Sequence, residues 1–408
     1  MSKPQANWFD ASFVLVLVFV FFNSVGLPHG LLYTTVLTPF LMFWLWRKRV
    51  YGYALWFTGI SAVLTYIHLG HDVVLPQYAK STVLLFTTLV FTVATWQFLR
   101  NTTRMGWYFK QILIFNTILL PVAAAAFLHP VTREWFWYLV PFSPNLPAIP
   151  RLKMLTYEAS FYSLTLAPLA VFYVVKSAFG QVRYPLLVLL LVFVPLLLSL
   201  SLGVLIALSL ALVGVLITYF RPIMQRKRFR LTVLYTAGGL VLGLLLLMVL
   251  WPDNPVFERI DNVLSHRDTS ARGRTYEAFW LAGKLAWNTN IWVGAGPGQV
   301  KALGHDLFFK FYQITITGPY VARIPNSAAE TLAVYGVLGL AARLGIQGWL
   351  FIRYKVYRNL FSLGLFLFIF IYQFTGSYIT SPLEYVIWIL AVLPLFPEFH
   401  KSKLFPKA

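Results

Sequence analysis

Basic side chains that could bind a phosphate are frequent in one late segment of the chain. Residues 252–325 contain eight arginines and lysines, interspersed with six carboxylates. Arginine suits such a role because its guanidinium is always charged and makes forked contacts to phosphate oxygens. The candidates to bind a diphosphate are Arg272, Arg274 and Arg323, followed by an earlier basic pair, Arg151 and Lys153. The alternative is that the loop charges pair with one another, which stabilises a protein little.

Three candidates could serve as a general base. They are Glu330, the pair His305 and Asp306, and the pair His71 and Asp72. Histidine titrates near neutral pH, and a carboxylate at a membrane boundary can also take a proton from a hydroxyl. Each has an ordinary alternative, either a solvated surface pair or a carboxylate that satisfies backbone donors. The chain has no D-x-D motif, so neither a metal nor a cofactor is expected.

A glycine-rich run lies within the same segment. Gly294, Gly296 and Gly298 alternate with other residues, and glycine tolerates the positive φ angles at which backbone N–H groups approach a ligand closely. A plain turn is the alternative, because the run lacks the strand and helix that flank nucleotide-binding motifs. Further along, Ser327 and Glu330 have the spacing of a capping box, which predicts the start of a helix.

Residues 274–287, between the arginines and the glycines, have helical spacing. One predicted face carries aromatic and small residues: Phe279, Trp280, Ala286 and Trp287. The opposite face carries charged residues: Arg274, Glu277 and Lys284. Such a helix is expected to lie along a membrane surface, with its tryptophans at the depth of the lipid headgroups.

The composition predicts an all-α polytopic membrane protein with about twelve transmembrane helices. Of the 408 residues, 59% are hydrophobic and 11% are charged, and the mean hydropathy is +0.71. So few polar side chains cannot cover a soluble protein of this length. The predicted spans are residues 8–26, 30–46, 52–69, 81–99, 108–128, 158–176, 184–200, 203–220, 231–251, 326–350, 359–377 and 382–397.

The distribution of basic residues predicts the orientation of these spans. The net charge of +20 is divided among short clusters in alternate connections, which excludes the single basic face of a nucleic-acid-binding protein. By the positive-inside rule, those connections and both termini lie in the cytoplasm. The predicted organisation is a first group of spans in residues 1–251, a large periplasmic loop with an interfacial helix in 252–325, and the last spans with a cytoplasmic tail in 326–408.

The stretch from about residue 270 to 345 resembles the O-antigen ligase and Wzy-type polymerase family. That family has an arginine before an amphipathic helix, a glycine-rich turn, and then the pattern H-N-x-x-L-E-x-x-x-x-x-G-x-x-G. The matching residues are Arg274, Trp280, Gly294, Gly296, Gly298, Asn326, Glu330, Gly336 and Gly339. The motif covers less than a quarter of the chain, and the predicted topology, with one large late periplasmic loop, resembles the family as well.

This resemblance implies a GT-C-like fold and a metal-independent, inverting glycosyl transfer between lipid-linked glycans at the periplasmic face of the bacterial inner membrane. One undecaprenyl-diphosphate-linked glycan would be the donor, and a second would supply the acceptor hydroxyl. A chain-length regulator or a flippase would be the expected protein partner. The reaction needs a base for the hydroxyl, cations for the departing diphosphate and apolar flanks for the polyprenyl tails.

Two departures from the family's pattern favour a polymerase over a ligase. Ligases have a histidine before the asparagine, where this chain has Pro325, and the nearest counterpart of the family's Ser-Arg-Gly is Ser201–Leu202–Gly203, which lacks the arginine. The alternatives are a ligase that transfers glycan to a lipid A core and a flippase or transporter of lipid-linked oligosaccharides. A transporter is expected to distribute polar residues through its spans, whereas here the charges are concentrated in the outer loop.

Overall fold

The chain is mostly helical (74%) and has almost no sheet. The computed structural model describes residues 11–28, 31–139, 149–221, 230–231, 261–262, 265, 269–312 and 322–405. The α-helices are α1 Ala11–Phe21, α2 Tyr33–Val36, α3 Thr38–Arg47, α4 Gly52–His68, α5 Leu75–Asn101, α6 Met105–Ala126, α7 Pro130–Phe136, α8 Ala159–Ala178, α9 Pro185–Leu198, α10 Leu202–Thr218, α11 Thr269–Arg272, α12 Tyr276–Asn288, α13 Gln299–Tyr312, α14 Ser327–Arg353, α15 Leu360–Tyr372, α16 Pro382–Val392 and α17 Lys401–Leu404. Two short strands, β1 Trp137–Tyr138 and β2 Arg151–Leu152, pair antiparallel between α7 and α8.

Among the described residues, four helices are long and apolar enough to cross a membrane: α5, α6, α8 and α14. Five further apolar helices are shorter: α1, α9, α10, α15 and α16. All of them lie where hydropathy predicts spans. The prediction of a helical chain with apolar helices of membrane-spanning length is therefore confirmed. Apart from its first residue, the predicted span 231–251 lies outside the described residues.

Helices α8 and α15 form the centre of the helical body. Nearly every residue of α8 is buried, as expected of a helix that is apolar all round and surrounded by other helices. Helix α15 packs against α8, α10 and α16. The rings of Phe109, Phe172, Phe361 and Phe396 lie 4.7–6.2 Å apart near the C-terminal end of α8. This aromatic cluster anchors one end of the body, and the polar residues described below lie at the other.

One predicted span is interrupted near the start of the chain. Hydropathy predicts a continuous helix over residues 30–46, but α2 and α3 are separate helices that meet at Leu37. Pro39 lies in the first turn of α3, where a helix does not need its missing N–H group. The same residue could not continue α2, because it would lack the hydrogen bond to the preceding turn. The predicted span therefore consists of two helices.

Helix α14 is broken at Gly336, so the predicted span 326–350 is not one straight helix either. Gly336 has φ +66°, a conformation that glycine adopts readily. Four hydrogen bonds of 2.9–3.1 Å join the break to an earlier segment: Ala295 N–H to Ala333 O, Gly296 N–H to Val334 O, Val337 N–H to Ile291 O, and Leu338 N–H to Trp292 O. The backbone of residues 291–296 therefore fills the break and satisfies polar groups that lipid could not.

The glycine run is the part of this segment that allows the close approach. Gly294, Gly296 and Gly298 all have positive φ, as predicted. A Cβ atom on Gly294 would overlap the backbone of α14, and one on Gly298 would overlap the backbone of α5. The N–H groups of Gly294, Ala295 and Gly296 all donate to carbonyls of the protein. These N–H groups are not available to a ligand, so the structure supports the turn alternative.

Helix α12 confirms the predicted amphipathic helix but buries a different face. The buried residues are Glu277, Ala278, Leu281, Ala282, Leu285 and Ala286. Small alanines on this face let α12 pack closely against α14. Trp280 and Trp287 are exposed on the same side as Lys284. The predicted grouping of Ala286 with the tryptophans, and of Glu277 with the exposed charges, is wrong because contact with α14 selects the alanine face.

Arg343 lies after the break in α14 and reaches back across it. Its guanidinium donates to side-chain oxygens at 2.8–3.2 Å: Gln373 Oε1, Thr331 Oγ1 and Ser327 Oγ. It also forms an ion pair with Glu384, which is fully buried at the start of α16. A charge in an apolar interior must be paired and hydrogen-bonded to be tolerated. Arg343 therefore ties both halves of α14 to the loop and helix that follow α15.

Gly336→Ala is expected to lower the free energy of unfolding by about 2–4 kcal/mol, because the added methyl group would overlap the main chain of Trp292 and because residue 336 has a positive φ. Denaturant unfolding of detergent-solubilised protein measures this change. Gly345→Ala, later in the same helix, places its methyl group in open space and should be neutral or slightly stabilising. Equal stability of the two variants would contradict the docking of residues 291–296 into the break.

Arg343→Met is expected to destabilise the protein by about 3–5 kcal/mol, because Glu384 would remain buried without its cation. The double variant Arg343→Met with Glu384→Leu should recover most of that loss, since apolar groups then replace the whole pair. A double-mutant cycle in the same unfolding assay measures the coupling. Losses that simply add would show that the two side chains do not interact.

Candidate functional site

A polar cleft opens where the N-terminal ends of α8, α14 and α16 meet the C-terminal end of α15. The cleft is small and partly open to solvent. The lining residues are Tyr157, Glu158, Ser160, Phe161, Leu164, Arg274, Pro325, Tyr372, Ser377, Tyr378 and Ser381. Tyrosine and serine hydroxyls dominate this lining, with one arginine and one carboxylate. Such a surface can hydrogen-bond a polar ligand and carry a charge of either sign.

Asn326 holds Arg274 at the edge of this cleft. Its Nδ2 donates to the backbone oxygens of Arg274 and Phe374, at 2.8 and 2.6 Å. Its Oδ1 accepts the N–H of Ala329 at 2.8 Å, which makes Asn326 the N-cap of α14. The capping-box spacing predicts Ser327 as the N-cap of α14, and this prediction is wrong by one residue. Asn326 is the N-cap, and its side chain also hydrogen-bonds the backbone of Arg274 and Phe374. One side chain thus joins the arginine, the start of α14 and the loop after α15.

The loop of residues 373–381 closes over the start of α14. Two hydrogen bonds of 3.1 and 3.2 Å satisfy the first backbone donors of the helix: Ser327 N–H to Gly376 O and Ala328 N–H to Gln373 O. Glu330 Oε2 accepts the backbone N–H of Ile379 at 2.8 Å. Glu330, a predicted base, therefore holds this loop in place, and it is not among the residues that line the cleft.

The three arginines predicted to bind a diphosphate differ in their pairing. Arg272 donates through Nε to Glu277 Oε1 at 2.6 Å, and the buried Glu277 also accepts from the Tyr312 hydroxyl at 3.1 Å. By contrast, the guanidinium groups of Arg274 and Arg323 have no ion pair or hydrogen bond within the part of the chain that the structure describes. The self-pairing alternative therefore applies to Arg272 and not to the other two.

Several nearby charges shift the pKa of Tyr378, in the loop over the cleft. Burial raises the pKa of its hydroxyl above the usual value, and the positive charge of Arg274 lowers it. Glu158 and Glu330 raise that pKa further, whereas Arg323 lowers it. Both arginines without an ion pair therefore lie close enough to the cleft to act on one of its hydroxyl groups.

A further group of cations lies at the start of α13. Partial desolvation lowers the pKa of the Lys301 ammonium, and the neighbouring charges of Arg323 and Lys80 lower it further, whereas Glu330 raises it. Lys80 belongs to the first turns of α5, against which Gly298 packs. The positive field around Arg323 thus extends to α5, and the sequence analysis did not single out either lysine.

The histidine pairs predicted as alternative bases lie outside the cleft. His305 Nδ1 and Asp306 Oδ1 are 3.3 Å apart on α13, and both side chains are largely exposed. The ring of His305 lies 4.7 Å from that of Phe309. His71 Nε2 lies 3.3 Å from Asn290 Nδ2 at the surface. None of these side chains lines the cleft, as expected for solvated surface groups.

Arg151 and Lys153 lie in and just after β2. The guanidinium of Arg151 lies 4.7 Å from the centre of the Tyr138 ring. Burial lowers the pKa of the Lys153 ammonium, and nearby Glu134 raises it. Neither side chain lines the cleft. Their segment leads along the chain to Tyr157 and Glu158, which do line the cleft.

Several cleft residues were missed by the sequence analysis, of which Glu158 is the most informative. Glu158 directly precedes α8 and is the carboxylate that lines the cleft. Tyr157 precedes it, and Tyr372 and Tyr378 approach from the other side. An adjacent Tyr-Glu pair at the predicted outer end of a span was the available signal. This pair lines a cleft only because α15 and the loop after it pack nearby, and they come more than 200 residues later in the chain.

No metal-binding group is evident in the part of the chain that the structure describes, where no three His, Cys, Asp or Glu side chains are placed to hold an ion. No family model matches the chain, and no curated protein matches it.

The difference between Arg272 and Arg274 predicts different effects on stability. Arg272→Gln should lower the free energy of unfolding by about 1–3 kcal/mol, since Glu277 would stay buried without its cation. Arg274→Gln should change it by less than about 0.5 kcal/mol, because that guanidinium has no partner to lose. Unfolding in detergent compares the two variants. A larger loss for Arg274→Gln would show that its charge is part of the folded scaffold.

Proposed function

We propose that this protein is a polysaccharide polymerase that joins undecaprenyl-diphosphate-linked repeat units by metal-independent, inverting glycosyl transfer. The observation that carries the proposal is the pair of arginines without an ion pair, Arg274 and Arg323, beside a cleft rich in hydroxyl groups. A diphosphate would balance those positive charges, and hydroxyl groups suit the many donors and acceptors of a sugar. The motif resemblance around Arg274, Asn326 and Glu330 points to the same chemistry.

In this proposal the protein has about twelve spans in the bacterial inner membrane, with the cleft facing the periplasm. Contacts between the connections at one end of the helical body support this topology. At the opposite end of the body, Tyr219 donates to the backbone of Tyr357, and Asn359 Nδ2 donates to Phe396 O at 2.8 Å. The Lys401 ammonium lies 5.8 Å from the centre of the Tyr219 ring. These connections are the ones that the positive-inside rule assigns to the cytoplasm.

The two arginines would act on the leaving group. The glycosyl bond to the diphosphate breaks as the acceptor oxygen attacks, and negative charge accumulates on the departing phosphate. Asn326 fixes the backbone of Arg274 beside the cleft, which would keep the guanidinium within reach of the phosphate on which that negative charge develops. Arg323, with Lys301 and Lys80 nearby, would hold a second phosphate group. Phe161 and Leu164 supply apolar surface at the same cleft.

A ligase is the nearest alternative. In the ligases that this segment resembles, a histidine occupies the position of Pro325, and Pro325 lines the cleft here. Proline has no side chain that can accept a proton, so the residue that would activate an acceptor in a ligase is lost from the place where it would act. This observation supports the polymerase.

A transporter is the alternative from another class, and the break in α14 is the observation that favours it. Broken helices in transporters expose backbone carbonyls that coordinate ions and substrates. In this chain, however, the carbonyls of Ala333 and Val334 accept hydrogen bonds from residues 295 and 296. Those carbonyls are therefore used in packing, which supports an enzyme over a transporter.

Chain extension in proteoliposomes tests the proposal. The purified protein should convert synthetic undecaprenyl-diphosphate-linked repeat units into a ladder of longer products. Arg274→Ala should reduce the rate by about 10²–10³-fold, the usual cost of removing one group that stabilises the transition state. Lys284→Ala is the matched control, since this exposed cation of α12 does not line the cleft.

Three outcomes would contradict the proposal. Transfer of glycan to a lipid A core without lengthening would identify a ligase. Movement of the lipid-linked units across the bilayer without any new bond would identify a transporter. Loss of activity in Lys284→Ala equal to that in Arg274→Ala would show that the rate depends on general surface charge and not on the cleft.

A further inference from the structure

Glu158 is the carboxylate that lines the cleft together with Arg274. It occupies the N-cap position of α8, but its side chain does not cap the helix. Glu158 also has no ion pair or side-chain hydrogen bond within the described ranges of the chain. A carboxylate near a helix N-terminus gains some stability from the helix dipole. That gain does not require the side chain to line a cavity, and this one does.

The backbone around Glu158 is held firmly. Met154 is fully buried and has φ +49°. The Thr156 hydroxyl lies 2.7 Å from the backbone oxygen of Lys153 and 3.0 Å from that of Glu158. These contacts fix the turn that leads from β2 into α8. The carboxylate is thereby presented from a rigid element, as a catalytic group should be.

Glu158 and Arg274 carry opposite charges at the same cleft, but they are not within ion-pair distance of each other. Arg274 is held on its own side by Asn326. A ligand with an anionic end and a hydroxyl group could therefore contact both charged side chains at this cleft. Three tyrosines, Tyr157, Tyr372 and Tyr378, surround that space.

Glu330 is in a different position. One of its oxygens accepts the N–H of Ile379, and its side chain lies behind the loop that covers the cleft. Losing Glu330 would release the loop, whereas losing Glu158 would remove a carboxylate that no other described contact uses. Glu330 therefore supports the loop over the cleft, whereas Glu158 lines the cleft itself.

We propose that Glu158 is the general base of the glycosyl transfer, an inference that rests on the proposed function. The Glu158 carboxylate removes the proton from the acceptor hydroxyl as that oxygen bonds to the anomeric carbon of the donor. The bond from this carbon to the diphosphate oxygen breaks, and its electron pair leaves with the lipid diphosphate. Arg274 stabilises that leaving group. Glu158 then passes the proton to solvent, and no further reactant is required.

The test compares Glu158→Gln with Glu330→Gln and with Glu134→Gln, a control carboxylate on the exposed part of α7. Glu158→Gln is expected to lower the rate of chain extension by about 10²–10⁴-fold, the usual range for a general base. Its affinity for undecaprenyl diphosphate should stay within about threefold of wild type, since the arginines are unchanged. Binding is measured by quenching of tryptophan fluorescence in detergent.

Several results would overturn the inference. Wild-type chain extension by Glu158→Gln would do so, as would an equal loss of chain extension in the exposed control Glu134→Gln. If Glu158→Gln fails to fold, Glu158→Asp decides, because it keeps the charge but withdraws it by about one bond length. That variant should show lower turnover with unchanged affinity, and equal turnover would refute the base. If the wild type itself extends no chain, the proposed function fails instead, and the two failures are distinct.

Discussion

The docking of residues 291–296 into the break of α14 is the contact on which the rest of the site depends. A broken helix leaves backbone donors and acceptors without partners, which an apolar surrounding does not tolerate. Here another piece of main chain supplies those partners, and the close approach requires that Gly294 and Gly336 have no Cβ atom. The same contact fastens α12 and α13 to the helical body. The long charged segment is thereby tied to the spans, and Arg274, just before α12, is brought to the cleft.

The charged side chains of this fold form two groups, those in buried ion pairs and those beside the cleft. Two ion pairs with buried carboxylates, Arg272 with Glu277 and Arg343 with Glu384, support the scaffold. Around the cleft, the guanidinium groups of Arg274 and Arg323 have no such partner among the described residues. The positive charges of Arg323 and Lys80 lower the pKa of Lys301. Like charges held together destabilise a fold unless a ligand neutralises them. In the proposed function, the lipid diphosphate would supply the negative charge that neutralises these cations.

Hydropathy predicted the helices well, because an apolar run of sufficient length has few alternatives to a helix in lipid. The glycine pattern was compatible with the positive φ values that Gly294, Gly296 and Gly298 adopt. The errors came from contacts between distant parts of the chain. Periodicity could not show that Gly336 breaks α14, since residues 291–296 supply the missing hydrogen bonds. Likewise, Glu158 lines a cleft only because α15 and the loop after it pack nearby. The buried face of α12 is the one that packs against α14.

The most direct test asks whether the cleft faces outward and holds a diphosphate. Because the chain contains no cysteine, Ser381→Cys places a single thiol at the cleft. A membrane-impermeant maleimide added to intact spheroplasts should label it, and undecaprenyl diphosphate should protect it. Lys403→Cys, near the predicted cytoplasmic C-terminus, should be labelled only after permeabilisation. Labelling of Ser381→Cys that requires permeabilisation, or that undecaprenyl diphosphate leaves unchanged, would contradict the account.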